Sequence, residues 1–215
     1  LIAIFTMLID HTAHVLISPY APMYMPMRAI GRLAFPIFCF LIVEGFYHTR
    51  NVSKYLFRLG IFAFISEIPF DLAIYGEPFY EYSQSVYFTL FIGLAVIYGL
   101  QKLENINFSN IGLSFLCQCI VILVGCILAV IVRSDYDAMG VILIAAFYLF
   151  REKKLYLIVA VLLITIFHGG MEGLASLSLL FILQYNGQRG PKVKYAFYVF
   201  YPVHLLALYF ISTLI

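Results

Sequence analysis

The sequence predicts an all-α protein, a polytopic bundle of about nine transmembrane helices whose N-terminus lies in the cytoplasm. Apolar residues make up 64% of the 215 residues, charged residues only 11%, and the mean hydropathy is +0.99. Soluble domains have about 45–50% apolar and about 25% charged residues, so this composition excludes a water-soluble fold. The apolar residues form long continuous stretches, and basic residues concentrate in alternate loops. We interpret residues 1–215 as one membrane domain.

The apolar stretches approach the length of a membrane span. A hydrocarbon core about 30 Å thick needs roughly 20 helical residues. Nine segments are predicted on this basis: 1–18, 29–48, 55–75, 85–101, 111–132, 138–150, 155–168, 173–186 and 195–215. The sixth to eighth are short, so we expect them to be tilted, partly re-entrant or extended into their flanks.

The distribution of basic residues predicts the orientation. Ten of the 13 Lys and Arg residues follow even-numbered segments: Arg50, Lys54, Arg58, Lys102, Arg151, Lys153, Lys154, Arg189, Lys192 and Lys194. The odd-numbered side holds the other three, with five acidic residues. The positive-inside rule therefore places the even loops and the N-terminus in the cytoplasm, and the C-terminus outside.

The composition also excludes several other classes of protein. The sequence contains no low-complexity tract and no basic run, which argues against a disordered chain or a nucleic-acid partner. Its four cysteines lie in apolar stretches without a CxxC pair, so we interpret them as packing residues.

Several polar residues lie inside or at the edge of predicted spans, where a charge at a helix centre costs about 2.5–3.5 kcal/mol. They are Asp10, His11, His14, Arg32, Glu44, Glu67, Asp71 and His204. Such residues must pair, face a wet cavity or be neutral. Embedded ionisable groups are usually functional, and structural pairing is the competing interpretation.

The first span carries a pattern suited to general-base chemistry. Asp10 and His14 are four residues apart and share a helix face, and His11 follows Asp10 directly. A carboxylate next to an imidazole orients the ring and raises its basicity. A plain buried polar pair remains an alternative. The pattern lacks the Glu of HExxH and a third ligand, so no metal site is predicted.

The second and third spans also place charges one helical turn apart. Arg28 and Arg32 lie near the outer entrance, and Pro36 is expected to bend the helix beyond them. Near the cytoplasmic end, Glu44 precedes His48 by one turn, which suits either function or an interfacial ion pair.

In the third span Glu67 and Asp71 are four residues apart, and two carboxylates on one face repel unless a cation or a shared proton intervenes. We expect Arg28 or Arg32 to be their partner. A structural salt bridge and a catalytic role both stay open for this pair.

Three further features lie toward the C-terminus. Pro202 opens the backbone beside His204, one turn after Tyr201, and His204 is either a core residue or a second catalytic candidate. Glu172 lies in a glycine-rich turn that is either a substrate lip or a flexible connector.

Arg50, Lys54, Arg58 and Arg189 contribute to a basic cytoplasmic rim. The rim either only sets the topology or binds a nucleotide-bearing cofactor. No phosphate-binding glycine motif supports ATP or NAD.

Short motifs spread along about residues 1–210 resemble the TraX family. They are Ile9-Asp10-His11, Gly31-Arg32-Leu33-Ala34-Phe35-Pro36-Ile37-Phe38, Glu44-Gly45-Phe46-Tyr47-His48-Thr49-Arg50-Asn51, Ser66-Glu67-Ile68-Pro69-Phe70-Asp71, Tyr185-Asn186-Gly187-Gln188-Arg189-Gly190 and Tyr201-Pro202-Val203-His204. The family is named for the pilin N-acetylase of conjugative plasmids. The resemblance therefore implies a multi-pass acetyltransferase of the bacterial cytoplasmic membrane that uses acetyl-CoA.

The first two spans also resemble transmembrane acyltransferases in which an embedded His is the base. Carried over by position, that base is His11, with Asp10 beside it, Arg32 as oxyanion donor or carboxylate partner, and His204 as second acid or base. The expected acceptor is a peptide N-terminus or a sugar. Its side of the site is assigned Arg28, Glu44, Glu67, Asp71, His14 and Tyr201. The acetyl-CoA side is assigned His48, Arg50, Lys54, Arg58 and Arg189.

Two other functions fit the same residues. Embedded carboxylates, histidines and Pro-broken helices also suit a small proton-coupled transporter, although no inverted repeat is visible between the halves of the sequence. A non-catalytic membrane scaffold is the third possibility, and the number of embedded charges makes it costly.

Overall fold

A computed structural model describes residues 1–188 and 194–214. Within these ranges the chain is helical and contains no β-strand. The α-helices are α1 (Ile2–Leu16), α2 (Tyr24–Gly31), α3 (Ala34–His48), α4 (Val52–Tyr75), α5 (Val86–Glu104), α6 (Ile111–Val132), α7 (Asp137–Leu149), α8 (Lys154–His168), α9 (Leu179–Ile182) and α10 (Lys194–Ser212). A 3₁₀ helix, Gly170–Ser178, precedes α9.

The helices have the composition of membrane segments. Among the described residues, three are long and apolar enough to cross a bilayer: the α2–α3 pair (Tyr24–His48), α5 and α6. The shorter apolar helices are Ile2–Leu16, Asp137–Leu149, Lys154–His168, Gly170–Ile182 and Ala196–Ser212. Helical backbone satisfies its own hydrogen bonds, which lipid requires. The chain is an all-α membrane protein.

Each predicted apolar segment coincides with helical structure, and two of them differ in detail. The second segment is split at Arg32–Leu33, so that Pro36 lies in the first turn of α3 instead of bending a continuous helix. Proline is tolerated in a first turn because the N–H groups there have no helical partner. The eighth segment is mainly the 3₁₀ helix followed by the four-residue α9, and its helical part ends at Ile182.

The chain forms two compact units. The first unit comprises Leu1–Phe38, Phe64–Glu81 and Val161–Ile215, and the second comprises Cys39–Ala63 and Tyr82–Ala160. In the first unit, α1 packs against α2 and α10, and the 3₁₀ helix packs against α2.

In the second unit, α5, α6 and α7 pack against one another. Its core includes the fully buried Leu94, Ile97 and Leu143.

At the helix ends of the second unit, residues next to even-numbered predicted segments contact one another, and so do residues next to odd-numbered segments. Residues flanking the second, fourth and sixth segments meet: Arg151 binds Glu44, and the Tyr148 hydroxyl donates to Glu104 at 2.9 Å. At the loops after the third and fifth segments, the backbone N–H of Gln84 donates to the Arg133 carbonyl at 2.9 Å. Even loops therefore contact even loops in this unit, and odd loops contact odd loops.

Candidate functional site

The first unit contains a four-residue ion cluster made of Asp10, Arg28, Arg32 and Glu172. Arg28 Nη1 lies 2.8 Å from Asp10 Oδ2, and Arg32 Nη2 lies 3.0 and 2.9 Å from the two oxygens of Asp10. Arg32 Nη1 lies 2.6 Å from Glu172 Oε1. The four side chains are 11–16% exposed, so these are largely buried, charge-assisted hydrogen bonds.

The cluster depends on a close approach of α1 to α2. Gly31 is buried at the end of α2, and a Cβ there would overlap the side chain of Asp10. Arg28 and Arg32 are one helical turn apart, so both reach the same carboxylate. Two cations and two anions balance, which compensates part of the cost of removing them from water.

His11 forms a hydrogen-bonded pair with His204 of α10. His11 Nδ1 lies 2.7 Å from His204 Nε2, and the rings stack at a centroid distance of 4.9 Å. On the other side of His204, its Nδ1 lies 2.8 Å from the Phe200 carbonyl oxygen. A carbonyl only accepts, so His204 Nδ1 is the donor of that bond.

This chain of bonds assigns the tautomers. In neutral His204, Nε2 carries the lone pair and accepts the bond, so the proton between the rings belongs to His11 Nδ1. His11 Nε2 then carries the lone pair, and among the described residues His11 makes its hydrogen bond through Nδ1. The arrangement orients one imidazole through a hydrogen bond to a second one.

Aromatic rings fix the positions of both histidines. Tyr201 is buried and packs edge-on against His11, with ring centroids 5.8 Å apart. Phe200 stacks on His204 at a centroid distance of 4.7 Å. His14 is exposed one turn beyond Asp10 on α1. The structure thus brings Asp10, His11, Tyr201 and His204 together in the first unit, with His14 alongside.

Two expected pairings are wrong. Asp10 was expected to orient His11, but its hydrogen bonds go to Arg28 and Arg32, and His204 occupies the orienting position. Asp71 was expected to bind an arginine, but it accepts a hydrogen bond from the Tyr80 backbone N–H at 2.9 Å. Arg28 and Arg32 hydrogen-bond to Asp10, and Arg32 also to Glu172, which the α1–α2 contact and the 3₁₀ helix place beside them.

The third-span carboxylates lie in the first unit. Asp71 is 2% exposed, and its Oδ1 makes no hydrogen bond among the described residues. Glu67 lies one turn earlier on α4 and is partly buried.

The remaining candidates lie in the second unit or outside the described residues. Glu44 is 5% exposed and binds Arg151 Nε at 2.7 Å, with His48 3.7 Å away on the same helix. The hydrogen bond from Glu44 raises the pKa of the Arg151 guanidinium, which therefore stays charged.

Of the basic-rim residues, Arg50 and Lys54 are exposed, and Arg58 lies over the Tyr55 ring at 5.8 Å. Arg189 lies outside the described residues. Among the described residues, no three His, Cys, Asp or Glu side chains are grouped so as to hold a metal ion.

Comparison with known proteins identifies the family. The family model described as TraX protein matches residues 1–212. The chain belongs to the TraX family. It is also 31% identical over 232 aligned residues to the probable fimbrial assembly protein FimC, serogroup H1, of Dichelobacter nodosus, covering 96% of this chain and 91% of that protein. No solved structure matches the chain at a significant level.

Three of the motifs that pointed to TraX take part in the site, those that contain Asp10, Gly31 and His204. Asp10 and Arg32 form the ion cluster, Gly31 allows their approach, and His11 and His204 form the imidazole pair. Glu172 was noticed in the sequence only as part of a turn. Its carboxylate beside three glycines was the available signal, but its partner lies 140 residues away.

Proposed function

We propose that this TraX protein is an acetyltransferase that moves an acetyl group from cytosolic acetyl-CoA to an amine or hydroxyl at the outer side of the bacterial cytoplasmic membrane. We further propose a multi-pass topology of about nine spans with the N-terminus in the cytoplasm. Family membership supports the reaction class. The charge asymmetry of the loops and the loop contacts of the second unit support the topology.

The observation that carries the proposal is the hydrogen-bonded His11–His204 pair. It gives His11 a defined tautomer in which Nε2 carries the lone pair. Among the described residues, His11 forms its hydrogen bond through the other ring nitrogen, Nδ1. A base for acyl transfer needs a neutral imidazole nitrogen that is held in place and accessible to the acceptor. His204 supplies the orientation from one side, and Tyr201 restricts the ring from another.

The proposed steps conserve atoms and charge. Acetyl-CoA would supply an activated acetyl thioester. His11 Nε2 takes the proton of the acceptor N–H or O–H as that atom attacks the thioester carbonyl. The C–S bond breaks, and His11 returns the proton to the departing thiolate. These steps describe direct transfer. In the alternative route, His11 Nε2 attacks the thioester carbonyl and the thiolate leaves; the acceptor then attacks the acetyl carbon, the bond to His11 breaks, and the acceptor proton passes to the thiolate. Ping-pong kinetics would distinguish this second route.

The ion cluster has a supporting role in this scheme. Both ends of the Arg32 guanidinium bind carboxylates, so we assign Arg32 to holding Asp10 and the adjacent turn of α1 in place. Asp10 precedes His11 directly, and a fixed Asp10 therefore fixes the backbone that carries the base.

The donor is proposed to use basic residues of the predicted cytoplasmic loops. Exposed Arg50 and Lys54, with Arg58 one turn later on α4, have the charge that the phosphate groups of a CoA require. Arg189 joins them by sequence, and His48 completes the set of proposed donor residues.

The acceptor is proposed to be a peptide N-terminus or a sugar. The Dichelobacter nodosus relative is named as a probable fimbrial assembly protein, so peptides of pilus subunits are the first acceptors to test. We assign Arg28, His14, Tyr201, Glu67 and Asp71 to the acceptor side. Glu44 is withdrawn from this group because it is buried against Arg151.

The experiment is acetyl transfer by the purified protein. Detergent-solubilised protein is incubated with radiolabelled acetyl-CoA and a panel of peptides and amino sugars. We expect wild-type transfer that His11→Ala abolishes without loss of the folded elution profile, and His168→Ala serves as the exposed histidine control. Absence of both CoA binding and transfer, together with solute flux in proteoliposomes, would favour the proton-coupled carrier.

A further inference from the structure

The segment Gly169–Ser178 begins with two glycines and is joined to the ion cluster by the Glu172–Arg32 pair. Gly169 and Gly170 have positive φ values of 84° and 57°, which glycine adopts without strain. The 3₁₀ helix that follows has poorer hydrogen-bond geometry than an α-helix. The segment therefore relies on outside contacts for its position.

Glu172 provides such a contact. Its Oε1 accepts a 2.6 Å hydrogen bond from Arg32 Nη1, and the 3₁₀ helix packs against α2. Asp10 already receives hydrogen bonds from Arg28 and Arg32 without any help from Glu172. The Glu172–Arg32 pair is therefore not needed to bind Asp10. Its effect is to attach segment 169–178 to the ion cluster.

We propose that Glu172 is a positioning residue that holds segment 169–178 closed against Arg32, and that this segment is the lip over which the acceptor reaches His11. The inference rests on the proposed function, because it assigns the lip to the acceptor. The lip belongs to the same compact unit as His11 and follows the seventh predicted span, on the proposed outer side. Loss of the Glu172 charge frees the lip and leaves the base and the donor residues intact.

The kinetic test uses Glu172→Gln and Glu172→Asp. We expect Glu172→Gln to raise the KM for the acceptor about tenfold, the loss typical of a charge-assisted hydrogen bond, while the KM for acetyl-CoA stays within about twofold. Glu172→Asp keeps the charge and should restore part of the acceptor KM. Equal changes in both KM values, or none in either, would overturn the proposal.

Glu152→Gln is the matched control. Glu152 also accepts a 2.6 Å hydrogen bond from an arginine, Arg151, but its side chain is 84% exposed and belongs to the second unit. Its replacement should leave both KM values at their wild-type levels.

Hydrogen–deuterium exchange tests the lip without any need for acetyl transfer. We expect amides of residues 170–178 to exchange faster in Glu172→Gln than in wild type, and at the wild-type rate in Glu152→Gln. If wild-type protein transfers no acetyl group, the proposed function fails. The exchange rates alone then test whether Glu172 holds segment 169–178 in place. Unchanged exchange in a folded Glu172→Gln protein would refute it.

Discussion

His11 Nδ1 lies 2.7 Å from His204 Nε2, although 193 residues separate the two in the chain. The contact joins α1 to α10, and the Phe200 carbonyl fixes the direction of the bonds. A free imidazole samples two tautomers, whereas this arrangement selects the one that leaves His11 Nε2 basic. The proposed base, His11, therefore lies on the first helix, and its orienting partner, His204, lies on the last.

Replacing His204 tests the orienting role. His204→Ala removes the acceptor of the His11 bond and should lower kcat by about 100-fold, with little change in either KM. His204→Gln keeps an oxygen that accepts from His11 Nδ1 and should retain more activity than the alanine variant. The measurement is steady-state acetyl transfer, with His168→Ala as control. A glutamine variant no better than alanine would count against the orienting role.

Neutralising Asp10 tests the ion cluster. Asp10→Asn removes the carboxylate charge that both Arg28 and Arg32 bind, and breaking a buried pair typically costs about 3–5 kcal/mol. We expect a lower Tm in detergent, partly recovered in the double variant Asp10→Asn/Arg28→Gln, which removes the excess cation. Glu77→Gln, an exposed acid, is the control. A double variant as unstable as the single one would contradict the assigned pairing.

Gly31 tests the close approach of α1 and α2. Gly31→Ala adds a Cβ that overlaps the Asp10 side chain, so the helices must separate and the Asp10–arginine bonds must lengthen. We expect a destabilisation of about 1–3 kcal/mol, the range for overpacking. Gly173→Ala, whose Cβ would meet no atom within 4 Å, should leave the Tm near wild type. Equal Tm values for the two variants would argue against the tight contact.

The sequence predicts the helical segments well for a physical reason. Lipid enforces continuous apolar helices, and loop charge records orientation, so both signals are local. The predicted starts 111 and 155 lie within one residue of the observed helix starts Ile111 and Lys154. The break at Arg32–Leu33 is less visible, because no glycine or proline occupies the break itself.

Several residues of the candidate site could be named from the sequence. Which of them hydrogen-bond to one another could not. Asp10 and His11 are neighbours in sequence, which favoured a direct interaction between them. Successive residues on a helix point in different directions, and the structure directs Asp10 toward α2 and His11 toward α10. The long-range partners Glu172 and His204 required the tertiary fold.

Reporter positions in the loops test the proposed topology. Single cysteines near residues 50, 106 and 152 should label with an impermeant reagent only after the membrane is opened, and those near 20, 78 and 135 should label in intact cells. In the second unit Arg151 binds Glu44 and Tyr148 binds Glu104, so we expect the even loops to share one side. Mixed accessibility among the even positions would contradict the nine-span arrangement.

The most direct test of the central claim is transfer of radiolabelled acetyl from acetyl-CoA by purified protein, with His11→Ala compared to wild type. We expect transfer by the wild type and none by a folded His11→Ala variant that still binds CoA. Undiminished transfer by His11→Ala would contradict the assignment of His11 as the base.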